Sequence, residues 1–513
     1  MRPLILSLVS GLLLALSFPR YGHPLFGWIA LAPLLVALAT ARPGPLRAWS
    51  LGLASGIVYF AGTVYWTSGV MAQYGGIATP LAAVIAGLLV AYLALFPAVF
   101  ALAVAMIVRG LGSRALLVAP AAWVSAELAR TLLFGGFPWA LVGYTQTSVV
   151  PIAQLASLLG VYGLSLVVVL ASAACALAAV ARDRSGLAAV GVVLVIVVGL
   201  AAWGRARVAD ARLTRAGTPV RVGLVQGDIP QDQKWAPGLE DDILGRYLTL
   251  SRRAADRGAQ AILWPESSTP FFFDRSPKTE AIRLLARERG VWILLGSDEA
   301  DRRDPRVVYN SAFMVRPDGT TAGVYRKVRL VPFGEYVPFR RLLFFAAPLV
   351  EAVGEFAPGD APVMLPMAGR PVSTAICYEV VYPALIREGV LEGSTLLTTI
   401  TNDAWFGRSS APYQHFEMAA LRAVEQGRYL ARSANTGISG IVDPYGRVLM
   451  ASALFTSEVL VGDVRLIEER TIYAQIGDVV AYASVVVTVV ALALAWSTGR
   501  RSEHLSRPPV GGR

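Results

Sequence analysis

Seven apolar stretches follow one another in the first two hundred residues, centred in 4–19, 24–41, 49–72, 79–108, 115–134, 158–181 and 187–204. Each approaches the ~20 residues that an α-helix needs to cross a bilayer. An eighth, VVAYASVVVTVVALALAW at 479–496, stands alone near the C-terminus. The expectation is an α-helical bundle of eight transmembrane spans. The first stretch follows Arg2 as a secretory signal would, but SFPRYGHP comes after it in place of a small-x-small cleavage site. It is read as a retained span. The 55% hydrophobic content and the mean hydropathy of +0.55 agree with a membrane protein.

Charge gives the expected orientation. The net charge is +11, but the arginines sit at the ends of apolar runs rather than in one patch, which argues for topology and against nucleic acid. With the N-terminus inside, ARPGPLR, RGLGSR, RDRSG and the tail GRRSEHLSR face the cytoplasm. The opposite loops, around QYGG and FGGFPWALVGYTQT, carry no lysine or arginine, while Arg20, Arg205 and Arg207 run against the bias. Both termini are then cytoplasmic, and the long segment between the seventh and eighth spans lies outside. The fourth stretch is long enough to tilt or to bend at Pro97. Glu127 and Arg130, three apart on one helix face, form either a mutual salt bridge or a substrate contact.

From about Pro219 to Leu466 the character changes. VRVGLVQGDI, AILWPESS, VWILLGS, SAFMVRPDG, VSTAICYEV, STLLTTITNDAW, SGIVDPYGRVLM and SEVLVGDVRL read as strands. LEDDILGRYLTLSRRAADRG, KTEAIRLLARERG and FEMAALRAVEQGRYLARSA read as helices between them. PDGT and DPYGR read as turns joining neighbouring strands. This alternation predicts a layered α/β domain with chemistry at strand ends. The expected organisation is a seven-helix membrane region at 1–208, an extracytoplasmic domain at 218–468, a C-terminal span at 476–498 and a cytoplasmic tail at 499–513.

Two cysteines and three histidines are too few for a disulfide framework or a His-rich metal site, and no metal or cofactor is expected. Cys175 lies in an apolar run and reads as a small hydrophobe. Three strand ends carry reactive groups: Glu266 after AILWP, Lys327 in VYRKVRLVPFGEYVP, and Cys377 after VSTAI. Each alone is ordinary, but together they suit one mechanism. A thiol needs a base before it attacks a carbonyl, and a buried carboxylate with raised pKa serves as one. A lysine ammonium and backbone N–H groups then stabilise the tetrahedral oxyanion.

The order Glu, Lys, Cys, carried in WPES, YRKVRLVPFGEYVP and CYEVVYP, resembles that of the nitrilase superfamily. Seven apolar spans before the domain and one after it narrow the resemblance to the apolipoprotein N-acyltransferases. The likeness extends through GFPWALVGYTQT, QGDIPQDQKW, TNDAWFG and RAVEQGRYLARSANTGISGIVDPYGRV. It implies an αββα sandwich in the periplasm and a multi-pass protein of the bacterial inner membrane. It also implies acyl transfer from a phospholipid, with phosphatidylethanolamine as the expected donor, to the N-terminal amine of a diacylglyceryl-cysteine apolipoprotein. Cys377 would form the thioacyl-enzyme, Glu266 would be the general base, and Lys327 would stabilise the tetrahedral intermediate. Glu335, Tyr378 and Glu379 match supporting positions, and Trp235 matches a loop tryptophan associated with substrate engagement. One chain suffices for this chemistry, so a monomer is expected.

RRLLFFAAPLVEAVGEF follows the lysine loop as a Pro-interrupted apolar segment. Leu342, Phe344 and Phe345 either pack into the core, as in an isolated domain, or, beside eight spans, form a lid that dips toward the bilayer and spares acyl chains the roughly 0.8 kcal/mol per CH₂ of exposure to water. Asn402, Asp403 and Trp405 either shape the same pocket or cap a strand and turn, and for Asp403 the capping role is favoured. His415 reads as a capping or packing residue rather than the partner of a Cys–His pair. Two other readings compete: a membrane-tethered amidase that delivers water to the thioester, and a transporter with a regulatory polar domain. Few ionisable residues and no internal repeat in the spans weaken the transporter reading.

Overall fold

The computed structural model describes residues 1–181, 183–332, 334–336 and 355–506, with side chains to 498. The chain forms two units, Met1–Tyr65 with Ala83–Arg205 and Asp478–Arg513, and Trp66–Ala82 with Ala206–Gly477. Phe344 and Phe345, and with them the expected lid, lie outside the described residues.

The first unit is helical. Among the described residues six helices are long and apolar enough to cross a membrane: Pro24–Ala41, Thr79–Leu111, Ser113–Gly135, Ala156–Ala181, Arg184–Arg215 and Val479–Thr498. Pro45–Val64 and Trp66–Gln73, bent by 51° at their junction, make a seventh if taken together. The expected count of eight is therefore not reached by length. The first apolar stretch folds into Arg2–Ala15, only 14 residues. At 1.5 Å per residue that is roughly 21 Å against a hydrocarbon core of about 30 Å. Pro19 follows the helix closely, and its missing N–H and fixed φ oppose continuation.

Close helix contacts in this unit depend on small residues. A Cβ at Gly52 would lie 2.3 Å from the Pro97 carbonyl oxygen and 2.6 Å from Ala101 Cβ, so helix Pro45–Val64 meets helix Thr79–Leu111 nearly backbone to backbone. Other faces stay apolar and uncovered, including Val192, Leu194, Val195 and Val198 on one helix and Val486, Val489 and Leu494 on another. Apolar faces of this extent suit a lipid surround.

Glu127 and Arg130 both turn to the chain at 137–142. Glu127 Oε1 accepts from the Val142 N–H at 2.7 Å and from Trp123 Nε1 at 2.9 Å. Arg130 Nη1 donates to the carbonyls of Phe137 at 2.9 Å and Trp139 at 2.5 Å. The pair thus pins the GFPWALV segment, satisfying main-chain groups that an apolar surround would otherwise leave unpaired.

The second unit contains two six-stranded sheets. Strands β1 (Thr218–Gln226), β2 (Ala261–Leu263), β3 (Trp292–Ala300), β4 (Val308–Val315) and β5 (Thr321–Arg326) join β12 (Glu458–Leu466) in the order β12-β1-β2-β3-β4-β5. Strands β6 (Leu365–Met367), β7 (Arg370–Ile376), β8 (Leu397–Thr401), β9 (Leu430–Ala434), β10 (Gly440–Val442) and β11 (Val448–Ala451) form the other, in the order β11-β10-β9-β8-β7-β6. Each sheet has a parallel centre, β1-β2-β3 or β7-β8-β9, flanked by antiparallel strands.

The sheets face one another through β1 against β9 and β4 against β7. Helices Glu240–Asp256 and Thr279–Arg289 cover the first sheet, burying Tyr247, Ile282 and Leu285 against Val225, Ile262, Trp264 and Leu295. Helices Pro383–Leu391 and Ala411–Gln426 cover the second. The result is an αββα sandwich. PDGT joins β4 to β5 and DPYGR joins β10 to β11, as the turn residues predict.

One segment read as helix is a strand. The helical pattern continues through FEMAALRAVEQGRYLARSA, but Gly427 adopts φ +62° and ends the helix at Gln426. Leu430–Ala434 then forms β9, parallel to β8 and buried throughout. The 49–72 stretch also differs from expectation. Its end, Trp66–Gln73, belongs to the second unit, where Trp66 meets Phe406 at 4.9 Å between ring centroids and Tyr74 meets Trp405 at 5.1 Å.

Candidate active site

Parallel strands present their C-terminal ends on one side of a sheet, where ligands commonly bind. Glu266 comes three residues after β2, Cys377 directly after β7, and Asn402 directly after β8. Lys327 follows β5, and its N–H bonds the carbonyl of Asn310 on β4 at 2.8 Å. Cys377 opens a 3₁₀ turn, Cys377–Val381, with φ +53°. This left-handed conformation costs a non-glycine residue about 1–3 kcal/mol and tends to occur at functional sites.

The structure brings Glu266, Lys327 and Glu335 together. Lys327 Nζ donates to Glu335 Oε1 at 2.8 Å and to Glu266 Oε1 at 3.3 Å. Asn310 Nδ2 spans the same two carboxylates, at 2.8 Å to Glu266 Oε1 and 3.1 Å to Glu335 Oε1. The second oxygen of Glu266 accepts from the Asn402 N–H at 2.9 Å, and that of Glu335 from the Val331 N–H at 2.8 Å. Lys327 is 1% exposed. Burial alone would strip its proton, but Glu335 and then Glu266 outweigh it and hold the ammonium well above its usual range.

The expectation of a raised Glu266 pKa is not met. Burial does push it upward, yet Lys327, Asn310, Lys234 and the Asn402 N–H together bring it below the usual carboxylate range. The Cys377 thiol moves the other way. Burial, and then the Glu266 charge, raise it far above a free thiol, with Lys327 opposing. At rest the pair is therefore a thiol beside an ionised carboxylate. In an attack by this sulfur on a carbonyl, proton transfer to Glu266 would become favourable only as an oxyanion formed beside Lys327.

Glu379 ties the strand that ends at Cys377 to the strand that ends at Lys327. Its Oε2 accepts from the Ile376 N–H at 2.7 Å. Its Oε1 accepts from the N–H groups of Val328 and Arg329 at 2.7 and 3.0 Å and from the Tyr325 hydroxyl at 2.8 Å. Tyr378 is buried near Tyr382, with ring centroids 5.3 Å apart at 88°. Trp235 lies on the loop before helix Glu240–Asp256 and stays 49% exposed.

Lys234 and Asn310 carry geometry that the sequence reading did not assign, while Asn402, read as shaping the pocket or capping, meets Glu266 through its N–H. Lys234 is buried, and its Nζ donates to the Glu266 carbonyl oxygen at 3.1 Å. Burial lowers its pKa to about 8, against the pull of Glu266, Asp298 and Cys377. Burial likewise raises Asp298 to about 6. The available signal for Lys234 is its place in QDQKW, directly before Trp235. Asn310 sits inside the apolar strand β4, where a polar side chain needs a buried partner. Among the described residues, no group of three or more His, Cys, Asp or Glu side chains is placed to hold a metal ion.

A thiol, an ionised base and a fixed ammonium in a dry site suit nucleophilic substitution at an acyl carbon. Known proteins place this arrangement. The carbon-nitrogen hydrolase family matches residues 221–472, and the apolipoprotein N-acyltransferase N-terminal domain matches residues 10–174. Apolipoprotein N-acyltransferase of Geobacter metallireducens is 41% identical over 98% of this chain and 96% of its own length. That of Methylococcus capsulatus is 35% identical over the full length of both. That of Shewanella oneidensis is 34% identical over 93% of this chain and 92% of its own. Matched along nearly its whole length, the chain belongs to the apolipoprotein N-acyltransferase family.

Proposed function

We propose that this enzyme moves an acyl chain from a phospholipid to the N-terminal amine of a diacylglyceryl-cysteine apolipoprotein, by way of a thioester on Cys377. The observation that carries the reading is the Lys327 ammonium held between Glu266 and Glu335 in the sandwich that supplies Cys377. In the first half-reaction Cys377 sulfur bonds to the ester carbonyl carbon as Glu266 takes the thiol proton. Lys327 and backbone N–H groups stabilise the oxyanion. The carbon–oxygen bond to glycerol then breaks, Glu266 returns its proton to the departing alkoxide, and a lysophospholipid leaves. In the second half the amine attacks the thioester, Glu266 takes a proton from nitrogen, and as the carbon–sulfur bond breaks Glu266 gives that proton to sulfur, restoring the thiol and the ionised base.

Glu335 acts by keeping Lys327 charged, and Glu379 by joining the two strands that carry thiol and ammonium. Tyr378 packs behind the nucleophile, and Trp235, exposed on its loop, meets substrate. The acyl donor is phosphatidylethanolamine, and one chain performs both halves. The surrounding protein is a multi-pass inner-membrane protein with both termini cytoplasmic and eight spans, its domain at 218–468 periplasmic. The loop-charge bias supports this orientation. Exposed Leu4, Ile5, Leu8 and Leu12 give the short first helix a lipid-facing side.

The test is acyl partition. Full-length protein in phosphatidylethanolamine vesicles receives a diacylglyceryl lipopeptide with a free amine. The lipopeptide should gain one acyl chain, and Cys377→Ala should abolish the gain. Release of free fatty acid at the same rate with and without lipopeptide would instead identify a hydrolase that uses water.

A further inference from the structure

Cys377 has a second set of neighbours that the proposed chemistry does not use. His415, on helix Ala411–Gln426, is fully buried, and its Nε2 lies 3.2 Å from the Cys377 carbonyl oxygen. A carbonyl only accepts, so Nε2 carries a proton whatever the state of Nδ1. Nδ1 lies 3.0 Å from Asp403 Oδ1 and 3.0 Å from Arg432 Nη2. Arg432, on β9, reaches Asp403 Oδ2 at 2.9 Å, and the Thr401 hydroxyl donates to Asp403 Oδ1 at 2.8 Å. Asp403 and Arg432 are as buried as the histidine.

Packing alone does not account for this group. A buried carboxylate and guanidinium are costly to desolvate, and apolar side chains of similar volume fill such a space at least as well. The cluster instead leaves Nδ1 a bonding partner in either state, accepting from Arg432 when unprotonated and donating to Asp403 when protonated, and aims the constant Nε2 donor at the nucleophile's own backbone. Cys377 sits there at φ +53°, a conformation that persists only where its surroundings hold it. We infer that Asp403, His415 and Arg432 form a positioning relay, in which the oriented imidazole holds the Cys377 carbonyl and so the left-handed turn that sets the thiol for attack. His415 is then a positioning residue, acting through Cys377 without touching substrate.

The inference rests on Cys377 being the acyl-carrying nucleophile, and its test separates the two claims. Wild type, His415→Gln, His415→Asn and His415→Leu are each mixed with phosphatidylethanolamine in detergent micelles, and the thioacyl mass on Cys377 is followed in time. Glutamine places an amide N–H near the position of Nε2; asparagine keeps polarity but ends short of the carbonyl. Since misplacing a reacting atom by 1 Å costs up to 10²-fold, the Leu and Asn variants should acylate about 10- to 100-fold more slowly, with KM for phospholipid little changed and Gln near wild type. A melting temperature is recorded for each variant. If Leu fails to fold, the Gln–Asn pair decides. Asn as fast as Gln, or Gln as slow as Asn, would overturn the relay. A wild-type protein that forms no adduct would overturn the nucleophile assignment and the relay with it.

Discussion

Glu379 accepts the Val328 N–H at 2.7 Å, joining the residue two places after Cys377 to the residue directly after Lys327. The same carboxylate holds the Ile376 and Arg329 N–H groups. Distance between thiol and ammonium is thus set through backbone, across two sheets, by one side chain. Glu379→Gln turns an amide donor toward main-chain donors and should cost about 1–3 kcal/mol for each donor left without an acceptor. Thermal unfolding should show that loss, and acyl transfer should fall with it. Wild-type melting and activity in Glu379→Gln would separate the carboxylate from the site.

Lys327→Met should remove the oxyanion donor and leave Glu266 and Glu335 as two buried like charges. Loss of one such donor costs about 10²–10³ in kcat. Lys327→Arg should recover little, because a planar fork does not replace a compact ammonium lodged between two carboxylates. Single-turnover acylation of Cys377 reads both variants. Substantial activity in Lys327→Met would assign the oxyanion to other groups.

Lys234 helps keep Glu266 ionised, so Lys234→Met should raise the Glu266 pKa. The acid limb of kcat/KM for acyl transfer then moves to higher pH, since a larger fraction of the base is protonated at each pH. An unmoved limb in a folded variant would show that Lys234 acts only on the backbone of Glu266.

Stability should fall on acidification through two buried carboxylates. Burial opposes ionisation of Asp403, but Arg432 and then His415 hold its folded pKa well below the usual carboxylate range. Glu266 is depressed as well, by Lys327 above all, against burial. A depressed folded pKa contributes stability that is present above the unfolded value, near 4, and is lost as pH falls toward the folded one. Arg432→Met should reduce this contribution and destabilise the protein by about 3–5 kcal/mol, because it leaves a buried charge without its partner. Melting curves between neutral pH and pH 3 test both statements; equal slopes for wild type and variant would contradict them.

The strand-end positions of Glu266, Lys327 and Cys377 were readable from sequence, because the apolar strand patterns stop there. The layered α/β domain was readable for the same reason, through period-two and helical patterns separated by PDGT and DPYGR. β9 was not, because its apolar run continues the helix without a break other than Gly427. The sign of the Glu266 shift was also out of reach. It is a balance of burial against Lys327, then Asn310, Lys234 and the Asn402 N–H, which lie 61, 44, 32 and 136 residues away in sequence. His415 looked like a packing residue because its partners, Asp403 and Arg432, come from different elements. The first helix is shorter than its apolar stretch because Leu16–Phe18 extends the apolar pattern but not the helix, which ends at Ala15.

The central claim is that sulfur on Cys377 carries the acyl chain between donor and acceptor. Rapid-quench intact-mass analysis of the full-length protein with phosphatidylethanolamine tests it directly. The account predicts a mass increase of one acyl chain, mapped to the Cys377 peptide, labile to hydroxylamine, and discharged by the free-amine lipopeptide at the rate of product formation. Triacylated product that accumulates with no Cys377 adduct, or that is still made by Cys377→Ala, would contradict it.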